Sequence, residues 1–488
     1  MTLAMTSGLI VILPIAGALF VGFSSKWPNV REGFGLITAG GLFGLVLTLI
    51  EPVKNGQRPE LTLVEVVPGI ELALRVEPLG LLFALVASFL WIVTTLYAIG
   101  YMRGHHEENQ TRFFVFFAIA IAGAMGVALS ANLFTLFTFY EALTLCTFPL
   151  VTHHGTKEAK KAGRVYLGIL LGTSVCFQLL AIIWTWQIAG TVDFMNGGIL
   201  AGTASNGVLS VILVLFVFGV GKAAVMPFHR WLPAAMVAPT PVSALLHAVA
   251  VVKAGVFTIL KVAIYIFGID LLGVLASTIW LAWAAAATII LGSLVAFTKD
   301  NLKARLAYST ISQLSYIVLG ALLANEWGII GGGMHIVMHA FGKITLFFAA
   351  GAVLVAAHEK DISCMRGLGR SMPVTFACFF VGSLSIIGVP PAGGAWSKWF
   401  LGLGTLEAGQ MGLLIVLMVS SLLSLVYLLE VPARAFFSSP REDVHSGKGI
   451  HEAPWPSLVA MVITALVTLG LFLNPDPFYE LMTLVVFS

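Results

Sequence analysis

The sequence predicts an all-α polytopic membrane protein, and three observations carry that prediction. Of its 488 residues 59% are hydrophobic and only 10% charged, too few polar groups to cover a soluble globule. Apolar runs of roughly 20 residues, the length of helix that crosses a hydrocarbon core of about 30 Å, recur along the whole chain. These runs are continuous, whereas the strands of a membrane β-barrel would alternate polar and apolar side chains.

Fourteen helices are expected, at about 6–24, 33–51, 78–100, 113–129, 131–151, 165–188, 208–229, 240–266, 272–297, 304–322, 328–357, 373–401, 411–436 and 456–484. The first lacks a basic leader and a small-residue cleavage site, so it reads as a retained helix and not as a signal peptide. Between the second and third, TLVEVVPGIELALRV alternates polar and apolar residues around Pro68-Gly69, the pattern of a β-hairpin. What remains outside the helices is too short for a separate soluble domain.

Lysine and arginine set the expected orientation. The connections after odd-numbered helices hold Lys26, Arg31, Arg103, Arg112, Lys157, Lys160, Lys161, Arg164, Arg230, Lys299, Lys303, Arg305, Lys360, Arg366, Arg370, Arg434, Arg441 and Lys448, which is 18 of the 26 basic residues. Those after even-numbered helices hold Lys54, Arg58 and Arg75, in the hairpin segment. The asymmetry predicts a multi-pass inner (plasma) membrane protein with both termini on the non-cytoplasmic side. Five cations remain that no loop can claim: Lys222, Lys253, Lys261, Lys343 and Lys398.

A charge at mid-membrane costs about 2.5–3.5 kcal/mol on insertion scales and normally faces a partner or internal water. Glu141, midway along NLFTLFTFYEALTLCTFPL, is the clearest acidic counterpart, and Lys222 is its expected partner. A single ion pair tying two helices together would explain those two residues and leave the other lysines unexplained. Lys222 precedes Pro227, which removes a backbone hydrogen bond and opens the helix. The second half repeats the device: GVPPAGGAWSKWF puts Pro390 and Pro391 in a long apolar helix, with Lys398 shortly after. Paired Pro-interrupted helices mark inverted-repeat transporters. The expected organisation is therefore residues 1–112 with helices 1–3 and the hairpin, two inverted five-helix repeats at 113–268 and 269–438, each with one broken helix, and a last helix within 439–488.

His335, His339 and Lys343 fall at i, i+4 and i+8, one helix face drifting by about 40° per step over about 12 Å. Such a stripe suits proton hopping through water, although histidines bonded to neighbouring helices are the plainer explanation of each alone. His247 is a further candidate, six residues before Lys253 and about 120° from facing the same way. Lys253 is central, whereas Lys261 lies nearer the helix end and is expected to snorkel or serve structure. A lysine suits a switching role because desolvation lowers its pKa and a carboxylate raises it, each unit being about 1.36 kcal/mol. Cys146, Cys176, Cys364 and Cys378 have no metal-ligand spacing, and no NAD, flavin or iron–sulfur motif occurs, so neither cofactor nor metal is expected. No nucleic-acid partner is expected.

The runs GKAAVMPFHRWLPAAMVAPTPVSALLHAVAVVKAGVF, NLFTLFTFYE, TKDNLKARLAYSTISQLSYIVLG, MHAFGKITLFFAAG and GVPPAGGAWSKWF resemble the antiporter-like subunits shared by respiratory complex I and Mrp-type cation/proton antiporters, over roughly helices 3 to 13. The resemblance implies a hetero-oligomeric membrane assembly that moves H⁺ and, in the Mrp case, Na⁺. It also implies site residues: Glu141 and Lys222 as the first half-channel pair, Lys253 as the link to the centre, His335, His339 and Lys343 along the axis, and Lys398 as the end of the route. Length, Lys253 and Lys398 are most like the D subunit of an Mrp antiporter, a transporter subunit and not an enzyme. The PFHRWLP region reads more like the L-type complex I subunit. That leaves redox-driven complex-I-like assemblies, membrane-bound hydrogenases and proton-coupled carbon-uptake complexes as the alternative.

Overall fold

A computed structural model describes residues 2–439 and 449–487; Arg441 and Lys448 lie outside the described residues. Helices dominate, and the only strands among the described residues are Glu60–Val67 and Ile70–Arg75, the antiparallel hairpin expected around Pro68-Gly69. Gly69 takes φ +80°, a conformation open to glycine without Cβ strain. The hairpin is stitched to the bundle: Ala131 N–H donates to Ala73 O (3.0 Å) and the Asn132 amide to Glu71 O (2.8 Å).

Eleven helices among the described residues are long and apolar enough to cross a membrane, fewer than the fourteen expected. The other three positions hold helix of a different kind. Asn206–Gly219 and Pro373–Ile387 are cut short by backbone breaks. Leu302–Leu322 is uninterrupted, but Lys303, Arg305 and a run of Ser, Thr, Tyr and Gln make it too polar to count, and it is buried along nearly its whole length. A fully internal helix needs no apolar surface for lipid, which is why hydropathy under-reads it.

Other expected helices are subdivided. The segment 456–484 is two helices, Trp455–Leu473 and Asp476–Val486, parted at Asn474-Pro475 because proline cannot continue the first. The segment 272–297 begins as a short helix, Ile269–Val274, followed by Ala276–Thr298. Lys157–Thr173 and Leu179–Ala189 are joined by a π-helical turn at Ser174–Gln178.

At the centre stands Glu326–Ala357, 32 residues long, buried from Gly328 to Val353. Around it pack Leu302–Leu322, Gly394–Glu407, Pro373–Ile387 and Trp455–Leu473. Val251–Val262, completely buried, crosses from the first broken helix to this centre. Leucine, tryptophan and phenylalanine side chains such as Leu19, Trp280, Trp283 and Leu422 lie on the outer surface. An exposed apolar surface, with lysines and histidines buried among the apolar side chains of the interior, fits a lipid solvent.

The two ends of the bundle differ. One carries the hairpin, meeting the segments around Ser130 and Phe194. At the other, the loops are tied by Arg112 to His153 O (2.6 Å), His154 to Val237 O (3.2 Å) and Lys303 to Ala238 O (2.6 Å).

Candidate functional site

The first broken helix stops at Gly219, a single 3₁₀ turn follows at Gly221–Ala223, and Ala224 adopts the left-handed conformation at φ +55°. Lys222 therefore sits in the break itself, not in a helix ahead of it as expected. Backbone groups freed by a break inside a membrane need other partners. Here Lys222 N–H donates to the Tyr140 hydroxyl (3.1 Å), the Trp231 indole donates to Gly221 O (3.0 Å), and Met226 N–H donates to Thr288 Oγ1 (3.2 Å). The lysine's Nζ donates to the Tyr140 carbonyl and lies 3.2 Å from the centre of that tyrosine's ring, a cation–π contact.

Glu141 is the next residue on the same helix. Neither of its buried carboxylate oxygens accepts a hydrogen bond from the protein, and it makes no ion pair with Lys222 within 4.0 Å. The expected pair is thus present as neighbours held apart, with Tyr140 occupying the ammonium group.

Val251–Val262 comes so close to the break that a Cβ on Gly255 would collide with the Lys222 and Ala223 backbone. That contact sets Lys253 beyond Lys222. Lys253 Nζ lies 2.7 Å from His339 Nδ1, and both residues are buried. His339 and His335 follow one another along the central helix with ring centroids 5.8 Å apart, and His335 Nδ1 is 2.8 Å from Ser397 Oγ. Tyr316 stacks on His335 at 5.4 Å, and Lys398 Nζ stands 4.7 Å from the centre of the Tyr316 ring.

Lys343 leaves this line. Two steps of drift turn it away from His335, and it donates to Ser309 Oγ at 2.8 Å instead. His247 lies within a π-helical turn at Leu245–Val249, which changes the register between it and Lys253. Its ring packs against Phe347 at 4.8 Å and neither nitrogen has a hydrogen-bond partner.

The second break mirrors the first in its materials. Pro373–Ile387 ends at Gly388 (φ +87°), and Gly394–Glu407 resumes the helix. Lys398, half-buried, donates to Ile387 O (3.0 Å), one of the carbonyls the break exposes, and to Ser421 Oγ (2.9 Å). Each break includes one cis X-Pro peptide bond, Met226-Pro227 and Pro390-Pro391.

Lys261 corrects the expectation that it snorkels. It is fully buried, pairs with Glu77 at 3.2 Å, donates to Ser130 O at 2.5 Å and lies 4.3 Å from the Phe194 ring. Glu77 begins the helix that follows the hairpin, and Arg75 reaches it at 3.8 Å. The sequence reading also passed over Tyr140, Ser309, Ser397 and Ser421, the polar partners of the site. Hydroxyls recurring at helical spacing inside apolar helices, as in AYSTISQLS, were the available signal. Among the described residues no group of three His, Cys, Asp or Glu is arranged to hold a metal ion.

Residues 130–424 match the family described as NADH:quinone oxidoreductase/Mrp antiporter, TM, and residues 68–114 match the one described as NADH-Ubiquinone oxidoreductase (complex I), chain 5 N-terminus. The chain is 32% identical to NADH-quinone oxidoreductase subunit N of Desulforudis audaxviator, with 95% of each chain covered. It spans about 60% of the length of chain-5 relatives such as that of Synechocystis sp., to which it is 31% identical over 80% of its own length. Among solved structures, a chain of the Mrp complex from Dietzia sp. superposes with a TM-score of 0.87 at 22% identity, covering 99% of this chain and 97% of that one, which shows a shared fold.

Proposed function

The chain belongs to the NADH:quinone oxidoreductase/Mrp antiporter family of membrane subunits, and from that premise we propose the path its protons take. As an antiporter-like, proton-translocating subunit of an Mrp- or complex-I-like assembly, it needs groups that bind and release a proton without a fixed counter-charge. The path runs from Glu141 and Lys222 at the first break, through Lys253, His339 and His335, to Lys398 at the second, with Lys343 joining from the side and His247 beside it. Residues 113–268 and 269–438 act as the two inverted halves.

The observation that carries this reading is the Lys253–His339 contact at 2.7 Å. Two nitrogen bases at that distance share one hydrogen, so the lysine donates to the imidazole or the imidazole donates to the amine. A proton arriving at either displaces the other. Glu141 contributes the moving element: Lys222 leaving the Tyr140 carbonyl for the carboxylate would take up a proton, and returning would release it.

Within the family we assign the chain to an Mrp-type Na⁺/H⁺ antiporter, in the cell membrane with both termini outside and with other membrane subunits as partners. The lysine at position 398 supports that reading. A second reading, a pumping subunit of a redox-driven translocase, draws on the 32% identity to a quinone oxidoreductase subunit. Purifying the native assembly decides between them: small antiporter subunits are expected, and hydrophilic flavin or iron–sulfur subunits would establish the second. Lys222→Ala is expected to abolish proton translocation in membrane vesicles; wild-type activity would sink the mechanism.

A further inference from the structure

The histidine line leaves Lys343 unexplained: a fully buried ammonium that donates to a serine hydroxyl and has no carboxylate in ion-pair contact among the described residues. Its surroundings are a row of hydroxyl groups between Leu302–Leu322 and Met411–Phe437. Tyr427 donates to the same Ser309 Oγ at 3.0 Å and exchanges a second hydrogen bond with Ser424 at 2.9 Å. The Tyr427 hydroxyl also faces Ser293. Ser293 stands 2.9 Å from both Ser312 and Ser420, a buried triad of serines from three helices. Ser420, with Ser421, faces the Tyr316 hydroxyl, which donates to Leu417 O at 3.0 Å and would turn to Ser420 to pass a proton on, and Ser421 accepts from Lys398.

Serine and threonine in membrane helices usually satisfy themselves by bonding their own chain one turn back. Thr310 and Ser383 here do so. Ser293, Ser309, Ser312 and Ser420 instead bond other side chains across helix interfaces, and each hydroxyl carries one donor and two acceptor sites. A row of such groups can pass a proton by accepting on one side and donating on the other.

We propose that this hydroxyl row is a second proton branch joining Lys398 to Lys343, parallel to the histidine line and sharing only its end at Lys398. It rests on the proton-path reading above. In one sense of transfer the Lys398 ammonium gives a proton to Ser421, and the displaced hydroxyl protons pass through Tyr316, Ser420, Ser293 and Tyr427 to Ser309. Ser309 hands its proton to Lys343 as the free amine. One N–H bond breaks at Lys398 and one forms at Lys343; each hydroxyl exchanges its own proton, and no electron moves. Lys398 donates to Ser421 and Tyr427 to Ser309 in this sense; the Lys343 ammonium itself donates to Ser309, the arrangement of the loaded state, and accepts from it only after its own proton has left. Rotation of each hydroxyl resets the row for the next proton or for the reverse direction.

The consequence is a division of labour in which Lys253 is served by the imidazoles and Lys343 by hydroxyls. The test uses the full chain in its native assembly, in everted vesicles with a fluorescent pH probe. Tyr427→Phe keeps the buried ring and removes the relay oxygen, and Ser309→Ala removes the group next to Lys343. Each is expected to slow proton uptake at least about tenfold and to change its H₂O/D₂O rate ratio, while assembly on a native gel stays at the wild-type level. Ser293→Ala reads the middle of the row and is expected to behave alike. Wild-type rates and an unchanged isotope ratio in all three assembled variants would overturn the branch. Lys253→Ala and Lys343→Ala in the same vesicles keep the two readings apart. If both lysine variants are silent the path itself fails; if both are inactive while Tyr427→Phe is normal, only the hydroxyl branch fails. Should Tyr427→Phe not assemble, Ser309→Ala and Ser293→Ala decide.

Discussion

Lys253 and Lys261 lie two turns apart on one helix, both fully buried, and they are opposites. Lys261 faces the Glu77 carboxylate, a backbone carbonyl and an aromatic ring. Its ammonium group is met by an anion, a carbonyl and a ring, and the contact ties the hairpin end of the bundle together. Lys253 faces an imidazole nitrogen. Nothing beside it fixes a charge, and its proton is shared with a base that can also release it. On the proposed path, the same residue type in the same helix is a structural cation where its partner is an anion and a transfer group where its partner is a neutral base.

The sharpest way to break the comparison is to replace both. Lys253→Ala is expected to cut proton translocation by about a hundredfold, the scale of removing a positioned acid–base group, with the fold unchanged; vesicle uptake rates corrected for assembled protein measure it. Lys261→Met should do the reverse. It leaves Glu77 with only the more distant Arg75, at 3.8 Å, at a cost of up to about 3–5 kcal/mol, seen as reduced assembly and a lower melting temperature, with transport per surviving molecule near normal. Adding Glu77→Gln should restore most of that stability. A Lys261→Met variant that assembles normally and has lost transport would move Lys261 onto the path.

His339→Gln comes next. An amide keeps a hydrogen bond to Lys253 but cannot take up a proton, so a drop of roughly tenfold or more is expected, with less effect on melting than on rate. Wild-type transport would show that Lys253 is served from elsewhere.

The smallest expected effect lies outside the membrane, at the loop cluster of His105, Glu107, His153 and His154. Glu107 meets His154 at 3.3 Å and His105 at 3.2 Å, while Arg112 and Lys303 are the neighbouring cations. The hydrogen bond from Glu107 raises the His154 pKa above its usual 6.5, against the pull of burial. Burial works to raise Glu107, and the bond and charge of His154 outweigh it, holding the carboxyl below its usual 4.5. A raised histidine stabilises fully below its unfolded pKa and loses that contribution as pH climbs through the folded one; a depressed glutamate stabilises above its unfolded pKa and loses it as pH falls through the folded one. The pair therefore contributes most between about pH 4.5 and 6.5. Being partly exposed, it is worth only about 0.5 kcal/mol after solvent screening. Melting of His154→Ala against wild type across pH 5 to 8 should show the difference shrink toward pH 8.

How much of this was legible in the sequence divides along the same line. Features set by neighbours in the chain were readable: the hairpin from Pro68-Gly69 and its alternation, the two breaks from Pro227 and Pro390-Pro391, the buried cations from their place in apolar runs. Features set by distant contacts were not. Lys261 looked free to snorkel because Glu77 is 184 positions earlier in the numbering. Lys222 was matched to Glu141, and nothing in the spacing foretold that the preceding Tyr140 would hold the ammonium with both its carbonyl and its ring. The serines were passed over because hydroxyls in apolar helices default to their own backbone, and only packing shows which do not.

The missing side chain at Gly255 has a mechanical meaning. With a glycine α-carbon pressed against the backbone of Lys222 and Ala223, the break has a hard stop on the side of Lys253 and no slack to close onto it. On the proposed path, a stroke of Lys222 would be directed away from that wall, toward the helix of Tyr140 and Glu141. The close packing acts as a pawl, and it leaves the loading position on one side only.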